Sequence, residues 1–266
     1  MIRAWHSLPM TDTTSHPGSC LCGAVAFAAT GPLRDVIGCH CRQCRKTSGH
    51  YWAATSVPLE RFSLLRDEGL GWYRSSPTAE RGFCRACGAS LFWKPEGEGR
   101  MAIAPGAFDD APPLRLTSHI FTEDAGDYYA PEGPPPAATP TTGPLDCSCL
   151  CGGVAFSLPG PAGPVTACHC TQCRKLSGHY AASFDADEAQ PTYHAKDSLA
   201  EYETPAKGRR GFCTNCGSSL WFRSAAGEFS VEAGCVNGPA GGRLAEHIFT
   251  ADKGGYYALD DGLPQR

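Results

Sequence analysis

Seven cysteines recur at identical spacing in the two halves of this 266-residue chain, and that recurrence limits its fold more than any other feature. Adding 129 to Cys20, Cys22, Cys39, Cys41, Cys44, Cys84 and Cys87 gives Cys149, Cys151, Cys168, Cys170, Cys173, Cys213 and Cys216. The intervening residues differ widely, so the thiols are the frame of an internal repeat. Further on one residue is lost, after which His119-Ile120-Phe121-Thr122 answers His247-Ile248-Phe249-Thr250, and Tyr128-Tyr129 answers Tyr256-Tyr257.

The repeat divides the chain into one domain over residues 18–130 and a second over 146–266. Residues 1–17 read as a loose leader. Residues 131–145, rich in proline and without apolar periodicity, read as a semi-rigid linker that is partly polyproline II. Short apolar, β-branched or aromatic runs bounded by Gly, Pro and Ser predict strands over 25–27, 51–57, 62–65, 90–93 and 101–104. Their counterparts are 154–156, 180–184, 219–222 and 229–232. Only 42–48 has the character of a helix, and 22 prolines with 31 glycines argue against long ones. The expected fold is mainly β: two tandem small zinc-bound domains of several short antiparallel sheets, related by a pseudo-twofold.

No apolar run approaches the roughly 18 residues needed to span a bilayer, and the N-terminus lacks the pattern of a signal peptide. A membrane is therefore not expected as a partner, and a reducing cytoplasm is the expected location. In that setting cysteines spaced by one or two residues are expected to be metal thiolates rather than disulfides. The formal charge of −4 disfavours nucleic acid, which requires a clustered positive face.

Seven thiols per half divide as four plus three. Cys20 and Cys22 in C-x-C form, with Cys84 and Cys87 in C-x-x-C-G form, supply a tetrahedral set for zinc, and Cys149, Cys151, Cys213 and Cys216 repeat it. Placed on a strand, each C-x-C would turn both sulfurs to one side. The glycine after each C-x-x-C permits the positive φ of a zinc knuckle. The trios Cys39, Cys41, Cys44 and Cys168, Cys170, Cys173 offer three ligands each. Three readings remain open for them: a fourth position held by water or substrate, completion by His40 or His169, or a site left incomplete. Strand alternation points the two histidines away. Arg42, Arg45, Lys46, Arg174 and Lys175 are candidates to offset thiolate charge or hold a substrate carboxylate, against a plain solvated basic turn. His50 and His179 are candidates for a proton relay or for hydrogen-bonded structural histidines. Cys147 and Cys235 lack counterparts and read as incidental.

The motifs G-S-C-L-C-G-A-V-A-F, C-H-C-R-Q-C-R-K-T-S-G and F-C-R-A-C-G-A-S-L-F, with their second-half counterparts, resemble the glutathione-dependent formaldehyde-activating family, which includes centromere-protein-V-like members. The resemblance covers nearly the whole chain and departs from the usual pattern in being doubled. It implies a complex of small β-sheets, a structural zinc at each four-cysteine set, a second zinc at each trio, and hence four zinc ions per chain. The reaction implied is a carbon–sulfur lyase type that joins a thiol such as glutathione to a small aldehyde such as formaldehyde. The competing expectation is a non-catalytic zinc module that mediates a protein interaction. The tandem arrangement predicts a monomer whose two domains pair face to face, as two subunits of a homodimer would.

Overall fold

The computed structural model describes residues 12–266. Domain one runs β1 (Ser15–Ser19), β2 (Ala26–Thr30), β3 (Val36–Cys39), α1 (Arg42–Ser48), β4 (Trp52–Pro58), β5 (Phe62–Arg66), β6 (Leu70–Ser76), β7 (Ala79–Cys84), β8 (Ser90–Pro95), β9 (Arg100–Ile103) and β10 (Leu116–Ile120). These form a three-stranded sheet, β1-β2-β5, and a seven-stranded sheet, β10-β3-β4-β9-β8-β7-β6. Domain two repeats both sheets, and its only α-helix is α2 (Thr171–Ser177). Pairing is antiparallel except at one edge of each large sheet, where β10 runs parallel to β3 and Leu244–Ile248 runs parallel to Val165–Cys168. That exception was not expected. It arises because the chain crosses the domain before returning to the strand that carries the first trio cysteine.

Local sequence accounts for most elements. β2 alternates, with Phe27 and Ala29 fully buried and their neighbours half-exposed. β4 is buried on both faces over residues 52–57, as suits a central strand, with Thr55 and Ser56 the polar members of an otherwise apolar run. Each helix stops at the glycine of its S-G-H-Y run: Gly49 and Gly178 both have φ of 83° and donate back to the carbonyls of Arg45 and Arg174. Among the described residues, no helix is long and apolar enough to cross a membrane.

Two boundaries differ from expectation. Residues 15–17, read as leader, belong to β1, where Ser15, His16 and Pro17 pair with Thr30, Ala29 and Ala28 and the His16 ring is buried. Residues 1–11 lie outside the described residues. At the other end Leu145, read as the last linker residue, pairs with Leu158 in domain two.

The two domains pack on each other through reciprocal contacts. Lys46 of α1, 1 % exposed, donates to the Ser148 carbonyl (2.9 Å), Asn237 Oδ1 (2.7 Å) and the Cys235 carbonyl of domain two. Its counterpart Lys175 donates to the Ser19 carbonyl (3.1 Å), the Ala107 carbonyl (2.8 Å) and Asp109 of domain one. Gly234 N donates to Gly49 O (2.8 Å), and Gly106 N donates to Gly178 O (2.9 Å). The Phe212 ring lies against Gly88 and the Phe83 ring against Gly217, so close that a Cβ at either glycine would stand under 3 Å from the ring. Residue i meeting j while j's counterpart meets i's is the signature of a pseudo-twofold.

Candidate metal centres

The four thiols of each knuckle set converge. Cys20 and Cys22 sulfurs lie 3.5 Å apart and Cys22 and Cys84 sulfurs 3.7 Å; in domain two Cys149 and Cys151 are 3.5 Å apart, Cys151 and Cys213 3.6 Å. No pair is a disulfide. A tetrahedral ion bound by thiolates at about 2.3 Å needs sulfurs about 3.8 Å apart, so the donor set suits zinc in both size and softness. The sulfurs converge for a local reason that differs from the one expected. Cys20 and Cys22 lie not on a strand but in the turn that follows β1, where two residues of extended chain, about 6.6 Å, would have held them apart. Gly23 at φ 78° closes that turn, and Val25 N donates to Cys20 Sγ at 3.2 Å. Across the site Gly88 (φ 77°) and Gly217 (φ 71°) form the knuckles, donating to Cys84 O and Cys213 O.

Each trio is built at a strand-to-helix junction. Cys39 ends β3, Cys41 caps α1, and Cys44 lies in its first turn; the three sulfurs fall within 4.8 Å of one another. Cys168, Cys170 and Cys173 repeat this, with Cys168 and Cys170 sulfurs 3.6 Å apart. Cys44 and Cys173 are buried, whereas the other two thiols of each trio are half-exposed, so one side of the set faces outward. Without a cation the thiols compete for charge: hydrogen bonds from Cys39 and Cys44 pull the Cys41 thiol far down, and the same contacts push Cys39 up. A divalent ion removes that conflict.

The cation that meets each trio is one the sequence reading missed. Arg81 Nη2, on β7, lies 3.4 Å from Cys44 Sγ, and Arg210 lies 3.5 Å from Cys173 Sγ. Both are buried, Arg81 near the Trp52 ring (6.0 Å) and Arg210 over the Phe222 ring (4.4 Å). The available signal was R-G-F-C, which sets an arginine three residues before the knuckle in both copies. The basic residues singled out instead behave otherwise. Lys46 and Lys175 are buried in the interdomain seam, which rules out the substrate-facing role considered for them, and Arg42 is exposed.

The four paired histidines turn away from the trios. His40 bonds Tyr129 OH (2.6 Å) and His119 Nδ1 (2.8 Å); His169 bonds Tyr257 OH (2.7 Å) and His247 Nδ1 (2.9 Å). His50 bonds Tyr128 OH (2.8 Å) and, across the seam, Tyr180 OH (3.1 Å), as His179 bonds Tyr256 OH and Tyr51 OH (2.7 Å). Burial holds His50 and His179 well below the usual imidazole range, so these rings are neutral braces. Cys147 and Cys235 are buried and belong to neither metal set.

An uncharacterized lyase of Schizosaccharomyces pombe is 29% identical over 115 residues, 43% of this chain and 83% of that protein. A Halomonas elongata protein, provisionally named a glutathione-dependent formaldehyde-activating enzyme, is 33% identical over 85 residues, 29% of this chain and 54% of that protein. A crystal structure of a Rhodobacter sphaeroides protein aligns with 39% of this chain and 98% of its own, at 24% identity and a TM-score of 0.32. The sequence profile of the glutathione-dependent formaldehyde-activating enzyme family matches twice, over residues 15–124 and 144–252, each match taking in one four-cysteine set and one trio. The chain therefore belongs to the glutathione-dependent formaldehyde-activating enzyme family, carrying its domain in two copies.

Proposed function

We propose that this protein is a zinc-dependent enzyme of the carbon–sulfur lyase type that acts on the adduct between a glutathione-like thiol and a small aldehyde such as formaldehyde. The observation that carries this reading is the asymmetry of each trio: one thiol buried against an arginine, two half-exposed, and, among the described residues, no fourth His, Cys, Asp or Glu grouped with them. Zinc bound there supplies an open coordination position, which lowers the pKa of an incoming thiol or polarises a carbonyl oxygen. In the synthetic direction a sulfur–carbon bond forms, the carbonyl π-bond becomes a C–O single bond, and the thiol proton ends on that oxygen.

The chain's own contribution is electrostatic and positional. Three thiolates exceed a divalent charge by one, and Arg81 or Arg210, each held beside a trio sulfur, offsets that excess. Offsetting it makes room for the thiolate of an anionic substrate. The four-cysteine sets, with three sulfurs of domain one's set buried, serve the fold, which gives four zinc ions per chain. Elemental analysis of never-stripped protein, combined with exchange spectroscopy on ¹³C-formaldehyde and glutathione, tests the proposal. Four zinc ions with accelerated formation and decay of the adduct is the expected result; two zinc ions, or adduct kinetics unchanged by the protein, would overturn it.

A further inference from the structure

The two copies are not identical where the seam passes beside their trios. The strand residue paired with the first trio cysteine is Trp52 in domain one and Ala181 in domain two. A second exchange runs the other way. Ala104 and Glu232 each precede a short turn, Pro105–Ala107 and Ala233–Cys235, with the same φ of −64° and ψ of 121°, so they are repeat counterparts. Both exchanges face the helix cap of the other domain. A Cβ at Gly178 would stand 3.0 Å from Trp52 Nε1 and 2.7 Å from Ala104 Cβ, and a Cβ at Gly49 would stand 2.8 Å from Glu232 Oε2. An indole in one copy and a carboxylate in the other therefore fill equivalent places. Both are buried, and among the described residues neither Trp52 Nε1 nor Glu232 Oε2 has a hydrogen-bond partner.

The exchange changes what surrounds each trio's arginine. Arg210 pairs with Phe222 in the ladder and Phe222 with Ser230; Glu232 stands two residues beyond Ser230, on the same face of the sheet as the Arg210 side chain. Burial pushes the Glu232 carboxyl up to about 7, and the Arg210 guanidinium pulls against that rise. The Ser219 hydroxyl donates to Glu232 Oε1 at 3.5 Å, and the Cys235 thiol and Tyr128 hydroxyl are further titratable groups near it. In domain one the same ladder runs Arg81, Trp93, Ala102, and so reaches Ala104, which has no charge. Arg81 instead lies near the Trp52 ring (6.0 Å), and the charged groups acting on it are the trio thiols of Cys44, Cys41 and Cys39.

We propose that Glu232 makes the two trios unequal: it shares the charge of Arg210, so the domain-one trio, Cys39, Cys41 and Cys44, is the one that takes the substrate thiolate. This rests on the proposed open zinc at each trio. A zinc ion with three thiolates carries one excess negative charge. Arg81 cancels it in domain one, and a fourth, anionic sulfur enters a neutral site. In domain two Arg210 answers two anions, the trio and Glu232, so its offset is only partial. An incoming thiolate is repelled there, whereas an uncharged ligand is not. Glu232 acts through Arg210, as a positioning residue rather than a catalytic one.

Cobalt(II) exchanged into the full chain reads each trio, because a fourth sulfur on the ion adds thiolate-to-metal charge-transfer absorption; the four-cysteine sets, already closed, give a constant background. Cys170→Ser leaves the domain-one trio and Cys41→Ser the domain-two trio. Each is titrated at about pH 8.5, where Glu232 is ionised, with 2-mercaptoethanol and separately with imidazole as a neutral ligand. The expected result is about tenfold tighter thiol binding at the domain-one trio, equal imidazole binding at both, and a thiol difference that Glu232→Gln abolishes and Glu232→Asp keeps. Equal thiol affinity at the two trios, the same gap with imidazole, or a gap that survives Glu232→Gln each overturns the proposal and leaves the zinc reading standing. No sulfur uptake at either trio overturns both. The comparison of the two trios needs no change at Glu232, so it stays decisive if the Gln variant does not fold.

Discussion

Replacing Lys46 with methionine tests the pairing of the two domains at a buried polar contact. Methionine keeps most of the side chain's stem, so packing changes little, and what is lost is the ammonium. The Ser148 and Cys235 carbonyls of domain two then lose this donor, and Asn237 Oδ1 keeps only the Ser148 hydroxyl. A buried acceptor left unpaired costs about 1–3 kcal/mol. Part is recovered, because the ammonium no longer has to be desolvated, a burden visible in its pKa, which burial lowers to about 8. The net loss should resemble that of hydrogen bonds to a charged group whose acceptors are neutral, about 1.5–3 kcal/mol. Against a domain stability of about 5–15 kcal/mol, such a loss lowers the urea midpoint by about 1 M. Lys175→Met should do the same from the other side, since its ammonium serves Ser19, Ala107 and Asp109. Urea unfolding with small-angle scattering of the native state reads both effects, and the double variant should scatter as two separate bodies on a linker. If each single variant lost less than about 1 kcal/mol and the double variant stayed compact, the seam would not hold the domains together in solution.

Three further outcomes are expected. Cys84→Ser removes a ligand whose binding energy is folding energy, so domain one should lose its near-ultraviolet circular dichroism, whereas Cys41→Ser should keep it and lose one metal ion. Arg81→Gln should weaken metal retention at the first trio by about 10- to 100-fold in a chelator competition, as loss of an outer partner of a metal site does, with the four-cysteine sets unaffected. Glu232 is buried, with its carboxyl pushed up to about 7 from 4.5, first by desolvation, against the pull of Arg210. The folded state thus keeps a proton that the unfolded chain releases, so the contribution of this group to stability is full below about pH 4.5 and is lost as pH rises through about 7. Between about pH 4.5 and 7 the wild type should lose about 3 kcal/mol relative to Glu232→Gln in thermal melts.

The cysteine spacing made the four-plus-three division and the duplication legible, because a metal's ligands are rare residues at short separations and leave a mark that intervening loops do not erase. The helix over 42–48 was equally legible, since its terminating glycine follows it directly in sequence. The C-x-C element was placed on a strand because alternation alone can bring two side chains to one face; the turn closed by Gly23 does it with tighter convergence. Arg81 and Arg210 escaped notice because they reach their sulfurs across the sheet, 37 residues from the cysteines they touch, and nothing local to the trio points to them.

By itself, then, the sequence determined that this is a twofold-repeated β domain of the family and which thiols act together, since both properties are carried by periodicity and spacing. Only the tertiary structure decided that Lys46 and Lys175 serve the seam rather than a substrate, that the histidines are braces, and that Glu232 meets Gly49 where Trp52 meets Gly178. Those outcomes depend on which surface of one copy meets the other, and that choice is made by shape and hydrogen bonding between residues more than a hundred positions apart.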